Sequence, residues 1–374
     1  METLALKHFA LLLLTAFLSI SFFSFISSAS AQRPLVGCYY FDGWSDTSTN
    51  NFHVEQPNGV SLFAGFPERE PVTGWYDNTA GLVDKQVQSA HSAGIDFFVF
   101  DWYAASQATN PEDRTLNFAK DAFKSSKNSH GMKYALLYVN NGSFNIPPAS
   151  WQQQCQEWVT DDFVNPSYMK VNGRPLFFLY DVADMDSLWS SAGGSAAAIA
   201  ALQADAKAAG LPGVIVIGCA MPDGKTGWTG LGSKSYDGYD GYTGYNYVGV
   251  PGTNSVGSNP YSVLVDGSVE IWNQFGANAN VKYVPVVTSG WDTRPWKESA
   301  FWYERDPDAF GSFFSMALQW VKIHPHSWIA PKTPMVMIEA WNELGEGGYI
   351  EPAEGDKGAY LSAVKQDLKA AGRR

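Results

Sequence analysis

The chain has 374 residues, 45% of them hydrophobic and 17% charged, and carries a formal net charge of −12. That hydrophobic fraction supports a large buried core, and no charge run is long enough to mark a disordered tail. The acidic balance argues against nucleic acid or another polyanion as a partner, because phosphate and sulfate chains are held by Lys and Arg.

Lys7 and His8 precede an apolar run from Phe9 to Ile26, and Ala29-Ser30-Ala31 follows as a small-x-small cleavage pattern. Residues 1–31 are therefore expected to be a signal peptide, leaving residues 32–374 as a secreted, extracellular domain that begins at Gln32. The run is long enough for an uncleaved membrane anchor to be the alternative. No other stretch is suited to crossing a bilayer, so no membrane association is expected after cleavage.

From Gln32 onward, short apolar runs alternate with amphipathic stretches, the pattern of a parallel sheet covered by helices. The spacing predicts strands over 35–41, 95–100, 134–139, 176–180, 214–217, 281–287 and 335–338. A sixth strand over 239–245 lies in a Gly/Tyr-rich region of poor strand propensity. Helices are predicted over 82–94, 113–127, 150–163, 195–209, 260–276, 309–321 and 360–371, with Gly94 and Gly210 placed as stops. This count closes a single (β/α)8 TIM barrel of the α/β class, which routinely occupies such a length as one domain. An open doubly wound sheet is the alternative, since alternation along the chain does not prove closure. Cys38, Cys155 and Cys219 are too few for a disulfide framework; buried thiols are expected, with one bridge and one free thiol as the alternative.

Chemistry in such barrels sits where the strands end. At that level the sequence places Trp44 with Asp42; Asp101, Trp102 and Tyr103; Asn140 and Asn141; Asp181; Tyr245 and Asn246; Trp291, Asp292 and Arg294; and Trp341, Asn342, Glu343 and Glu346. Acids and amides bind hydroxyls, and large aromatic faces stack on sugar rings, so these residues are candidates for contact with an oligo- or polysaccharide. For any one Asp or Asn the bland alternative is a cap on the following helix. Glu343 and Glu346 carry the chemistry, because glycoside cleavage needs one carboxyl to protonate the departing oxygen and another as nucleophile or base. Gly345, Gly347 and Gly348 let both turn toward one cleft; a solvated surface turn is the alternative. Beyond the proline-separated pair His324 and His326, no histidine spacing suits zinc, there is no G-x-S-x-G elbow, and no cofactor is expected.

The run from Trp341 to Pro352, WNELGEGGYIEP, resembles the W-N-E-W-x-E-G-x-x-x-E-P signature of glycoside hydrolase family 99 and its WbsX-like relatives. Further blocks of resemblance begin at Gly74 (GWYD), Ala93 (AGIDFFVFDWY), Met132 (MKYAL), Lys170 (KVNGRPLF) and Gly290 (GWDTRP), in the family's order along nearly the whole mature chain. The resemblance implies a (β/α)8 retaining enzyme on α-linked glycans, typified by endo-α-mannosidases, with no metal and no organic cofactor. It also implies that Glu343 is the base on the sugar 2-hydroxyl, which attacks the anomeric carbon to give a 1,2-anhydro sugar. Glu346 would be the general acid and later the base that activates water. Leu344 stands where the family has a second Trp, a change expected to remove an aromatic wall. An α-1,3-glucanase-like hydrolase and a non-catalytic polysaccharide-binding or assembly protein are the competing readings. The chain is expected to be monomeric. Asn141-Gly142-Ser143 is a glycosylation sequon at a strand end, expected to be unmodified or peripheral.

Overall fold

Apolar runs are stable as strands only when both faces are covered, and eight buried parallel strands frame this protein. The computed structural model describes residues 33–44, 61–75, 80–104, 116–220 and 238–372. The expected signal peptide lies outside them. The barrel strands are β1 (Leu35–Tyr40), β2 (Phe97–Trp102), β3 (Lys133–Tyr138), β4 (Arg174–Leu179), β5 (Ile215–Cys219), β6 (Gly241–Thr243), β7 (Val286–Thr288) and β8 (Met335–Glu339). Parallel pairing runs β6-β5-β4-β3-β2-β1-β8-β7. The two ends of this path meet in an isolated parallel bridge between Tyr242 and Tyr283. There Tyr242 N donates to Lys282 O at 2.9 Å and Val284 N donates to Tyr242 O at 2.9 Å, which completes the ring. Closure thus decides for the barrel over the open sheet.

Helices cover the outside: α1 (Ala80–Ala93), α2 (Phe118–Ser125), α3 (Pro148–Glu157), α4 (Val182–Leu188), α5 (Gly194–Ala208), α6 (Tyr261–Gly276), α7 (Pro307–Ile323) and α8 (Ala359–Ala370). Among the described residues no helix is long and apolar enough to cross a membrane. Three elements differ from the sequence expectation. The seventh strand does not run unbroken over 281–287, because Pro285 has no N–H to give to a ladder; the chain bridges at Tyr283 and resumes as β7. The helix predicted over 150–163 is α-helical only to Glu157 and continues to Phe163 as a π-helix. Helix α4 is additional, nucleated by Asp181, whose side chain accepts from Ala183 N and Asp184 N.

Side chains alternate between the two faces of each strand, and this parity sorts the aromatics. On β1, Tyr39 points inward to Phe178 and Tyr245, while Tyr40 points outward and donates to Gln86 on α1. On β2, Trp102 points outward and packs edge-on against Tyr138 and Trp158. Much of the tryptophan content is therefore core. A second apolar cluster of Trp44, Phe63, Leu344, Tyr349 and Ala353 sits beside the C-terminal ends of the strands, with Trp75 and Trp296 packed on it. All three cysteines are buried and free.

Candidate active site

The turn bearing the two glutamates is fixed to the barrel by hydrogen bonds on every side. After β8, Asn342–Glu343 pairs antiparallel with Gly348–Tyr349. The Asn342 side chain accepts from Phe41 N at 2.9 Å and donates to Phe41 O at 2.7 Å, tying the turn to the end of β1. Trp44 Nε1 donates to Asn342 O at 2.9 Å. From below, the buried Arg69 guanidinium donates to the carbonyls of Leu344 (2.8 Å), Gly345 (3.3 Å) and Asp292 (2.9 Å). Glu346 N donates to Glu343 O, Glu346 O accepts from Asp292 N, and Gly347 takes a left-handed conformation, φ 74°, that favours a residue without Cβ. The third glutamate of the run, Glu351, accepts from Gln86 Nε2 at 2.9 Å, so it anchors the hairpin to α1.

This bracing sets both carboxyl groups on one cavity of about 360 Å³ at the C-terminal mouth of the barrel. Asp101, Tyr245, Glu343 and Glu346 make its acidic part; Tyr103, Phe144 and Tyr180 form an aromatic wall, and Val139 and residues 141–143 complete the lining. Tyr245 Oη stands 2.7 Å from Asp101 Oδ2 and 2.6 Å from Glu343 Oε1. Asn246 Nδ2 donates to Glu346 Oε2 at 3.3 Å. A larger cavity of about 660 Å³ lies among α6, α7 and α8, but its lining includes Val269, Met316 and Ile323 on the helical exterior, away from these acids. Volume alone does not locate chemistry; convergent polar groups do.

Burial governs the ionisation of the acids. It pushes the Glu343 carboxyl up to about 7, opposed by the hydrogen bond from Tyr245 and reinforced by the charge of Glu298. Glu346 is driven well above the usual carboxylate range, by burial first and then by the charges of Glu343, Glu298 and Asp101. Asp101 is raised by burial and by Glu343, against the hydrogen bond from Tyr245. Glu339, at the end of β8, is wholly buried and likewise pushed up by burial and by Glu346.

Of the residues singled out in the sequence, Asp101, Tyr103, Tyr245, Glu343 and Glu346 meet on this cavity, Asn141 is on its rim, and Asn246 touches Glu346. The others do not line it, each for a physical reason. Trp102 takes the outward parity described above. Trp341 is fully buried, edge-on to Phe98 at 5.3 Å, and Trp44 lies inside the second apolar cluster. Asn140 and Asp181 are bonded to each other's strand ends, Asn140 Nδ2 to Asp181 O at 2.6 Å and Asp181 N to Asn140 Oδ1 at 2.9 Å, and Asp181 caps α4. Asn342 is spent on Phe41. Trp291 packs against the barrel core. Asp292 is held by Arg294 (Nε, 2.7 Å) and Arg69 (2.5 Å), and Arg294 lies over the Trp302 ring at 4.1 Å. Leu344 is fully buried in the second cluster, so the side chain at this position forms no wall of the cavity. Tyr180 and Phe144 were not singled out. Tyr180 was legible, since it follows inward-facing Phe178 by two residues; Phe144 sits in a short turn, Gly142–Phe144, with no periodicity to read.

Residues 257–364 match the model of a family described as glycosyltransferase WbsX. Among solved structures, the chain is similar to an endo-α-mannosidase of glycoside hydrolase family 99 from Bacteroides thetaiotaomicron bound to bis-tris-propane: 17% identity, TM-score 0.60, over 90% of this chain and 96% of that one. It is also similar to a glycoside hydrolase-like protein, at 18% identity and TM-score 0.62, over 90% and 94%. An exo-β-1,4-mannosidase from Opitutaceae bacterium strain TAV5 is further off, at 13% identity and TM-score 0.51, over 92% and 60%. No curated protein matches the sequence. The (β/α)8 barrel read from the alternation of elements is thereby borne out, and the WbsX-like character is found over the segment that contains the glutamate turn.

Proposed function

We propose that this protein is a retaining glycoside hydrolase acting on an α-linked oligo- or polysaccharide, with Glu343 as base on the sugar 2-hydroxyl and Glu346 as general acid. The observation that carries the reading is the convergence of both glutamates on one cavity beside an aromatic wall of Tyr103, Phe144 and Tyr180. A 2-hydroxyl trans to the leaving group is already placed to attack the anomeric carbon once its proton is removed, so a base on that hydroxyl and an acid on the departing oxygen suffice. The two environments favour that division of labour. Burial pushes both carboxyls up, and the charges of Glu343, Glu298 and Asp101 push Glu346 up further, the direction a general acid requires. In the return step Glu346, now ionised, takes a proton from water and Glu343 gives its proton back to the 2-oxygen.

The name of the matched family suggests transfer to another sugar as the second reading. The same intermediate opened by a hydroxyl acceptor instead of water would give it, with the same two carboxyls. We infer export from Lys7, the run Phe9 to Ile26 and the small residues Ala29-Ser30-Ala31. The test is incubation with α-mannans, α-glucans and bacterial capsule glycans, with and without an added sugar acceptor. Wild type should release fragments of retained configuration, and Glu343→Gln and Glu346→Gln should each lower the rate by about 10²-fold or more while the fold is kept. Hydrolysis that survives both substitutions removes the mechanism. Glycan binding without cleavage would favour the binding or assembly reading.

A further inference from the structure

The Tyr245 hydroxyl stands within hydrogen-bond distance of two carboxyl groups, Asp101 at 2.7 Å and Glu343 at 2.6 Å. A phenol carries one proton, so it can donate to only one of them. The other contact is favourable only if that carboxyl is itself protonated and donates to the phenol oxygen. We propose that Asp101 and Glu343 share one proton through Tyr245, with Asp101 as the positioning residue that holds it, so that the phenol donates to Glu343 and leaves Glu343 the ionised base. The proposal rests on the reading of Glu343 as base and adds the group that sets its charge.

The surroundings favour the proton on Asp101. Asp101 is 2% exposed, and its second oxygen, Oδ1, is buried with no hydrogen-bond partner among the described residues. An ionised carboxylate with one bare oxygen in such a place is costly, whereas a protonated one needs a single acceptor, which Tyr245 Oη supplies. Both carboxyls line the cavity, and Glu343, at 6% exposed, is the less confined of the two. Among the other acids near this group, Glu346, Glu339 and Glu298, the last places negative charge on the side of Glu343, which disfavours ionisation of both carboxyls at once. The phenols Tyr39, Tyr103 and Tyr180 and the thiols Cys38 and Cys219 that also feel Asp101 are themselves pushed up by burial and stay neutral. The phenol ring is fixed against Tyr39 at 4.9 Å and Tyr180 at 5.4 Å, so its oxygen cannot swing out of the pair.

When Glu343 takes the proton of the sugar hydroxyl, the triad holds two carboxyl protons and no net charge. Tyr245 remains donor to one side and acceptor from the other. When Glu343 returns that proton, the original arrangement is restored. No other reactant is needed.

The test uses the whole protein with carbon-13 in its aspartate side-chain carboxyls, whose resonance positions report protonation directly and need no substrate. The resonance missing from Asp101→Asn identifies Asp101. It should remain at the protonated position around pH 7, where Glu343 titrates, and its titration should move to lower pH in Glu343→Gln, which removes the repelling charge. An Asp101 that is already ionised there, or one whose titration ignores Glu343→Gln, overturns the proposal. Once a substrate is known, Tyr245→Phe should move the acid limb of kcat/KM to higher pH by about one unit, because Glu343 loses its donor. Asp101→Asn, whose amide can donate to the phenol oxygen, should leave that limb in place. A limb that drops on Asp101→Asn would mean Asp101 was charged. Failure to find any hydrolysed glycan would count against the proposed function, while the carbon-13 titration would still stand or fall by itself.

Discussion

Replacing Arg69 by methionine tests whether one buried guanidinium holds the glutamate turn. Arg69 is 3% exposed and donates four hydrogen bonds, to the carbonyls of Asp292, Leu344 and Gly345 and to the Asp292 carboxylate. Methionine fills the space of the stem but leaves three inward carbonyls and one carboxylate oxygen without that donor. Leaving a buried acceptor without its donor costs about 1–3 kcal/mol, so losing four such bonds outweighs the share of the Asp292 charge that Arg294 still neutralises. Arg294 supplies the control. It grips the same carboxylate with Nε and a terminal nitrogen, each at 2.7 Å, but its side chain is 43% exposed, so Arg294→Met should cost about 1 kcal/mol or less. Urea unfolding followed by tryptophan fluorescence near neutral pH measures both. Arg69→Met should show a midpoint far below wild type and, on the proposed function, lost hydrolysis even where it remains folded, since Leu344 and Gly345 lie between Glu343 and Glu346. Equal losses in the two variants would refute the reasoning, because they would show that burial does not decide the strength of these pairs.

Two further outcomes are expected. Burial raises Glu343 to about 7, above the roughly 4.3 of an unfolded glutamate, so its contribution to stability is full below the unfolded value and is lost as pH rises through about 7. Glu343→Gln should therefore melt above wild type in buffers more alkaline than this and coincide with it near pH 4; a gain at acid pH only would contradict the sign. A Cβ at Gly345 would overlap the Trp296 indole, which stacks on Trp44 at 6.0 Å. Gly345→Ala should lower stability by about 1–3 kcal/mol and alter near-ultraviolet circular dichroism, and an unchanged aromatic signal would show that the indole does not pack there.

The barrel was legible because seven apolar runs recur between helical stretches and read as strands buried on both faces, with room for a sixth strand in the Gly/Tyr-rich region between the fifth and seventh. What blurred was set by single residues. Pro285 interrupted the seventh strand, and Asp181, read as a contact for sugar, starts a helix instead. The site was legible at the level of strand ends but not side by side along a strand. Asp101 and Trp102 are neighbours in sequence and face opposite ways, so one lines the cavity and the other joins the core. The amide of Asn342 looks like a sugar ligand in sequence, and only the proximity of Phe41, 301 residues away, explains it as a clamp. Tyr245 was placed near the cleft, but its position between two acids depends on distances between strands that no local pattern encodes.

A hoop made of staves is only as stiff as its slackest joint. Here β2 and β3 are laced along six residue pairs, whereas β6 meets the chain before β7 at a single bridge. Thermal breathing is easiest where the fewest backbone bonds must break, so the ring gives way first between Tyr242 and Tyr283. Tyr245 lies three residues beyond that joint, but its phenol is docked on Glu343, which follows β8, a strand paired to β1 along four residue pairs and to β7 along three. The two sides of the cleft therefore differ in compliance, and a bulky guest would be admitted at the Tyr242–Tyr283 seam, with the carboxyl-bearing turn and the phenol docked on it as the fixed jaw.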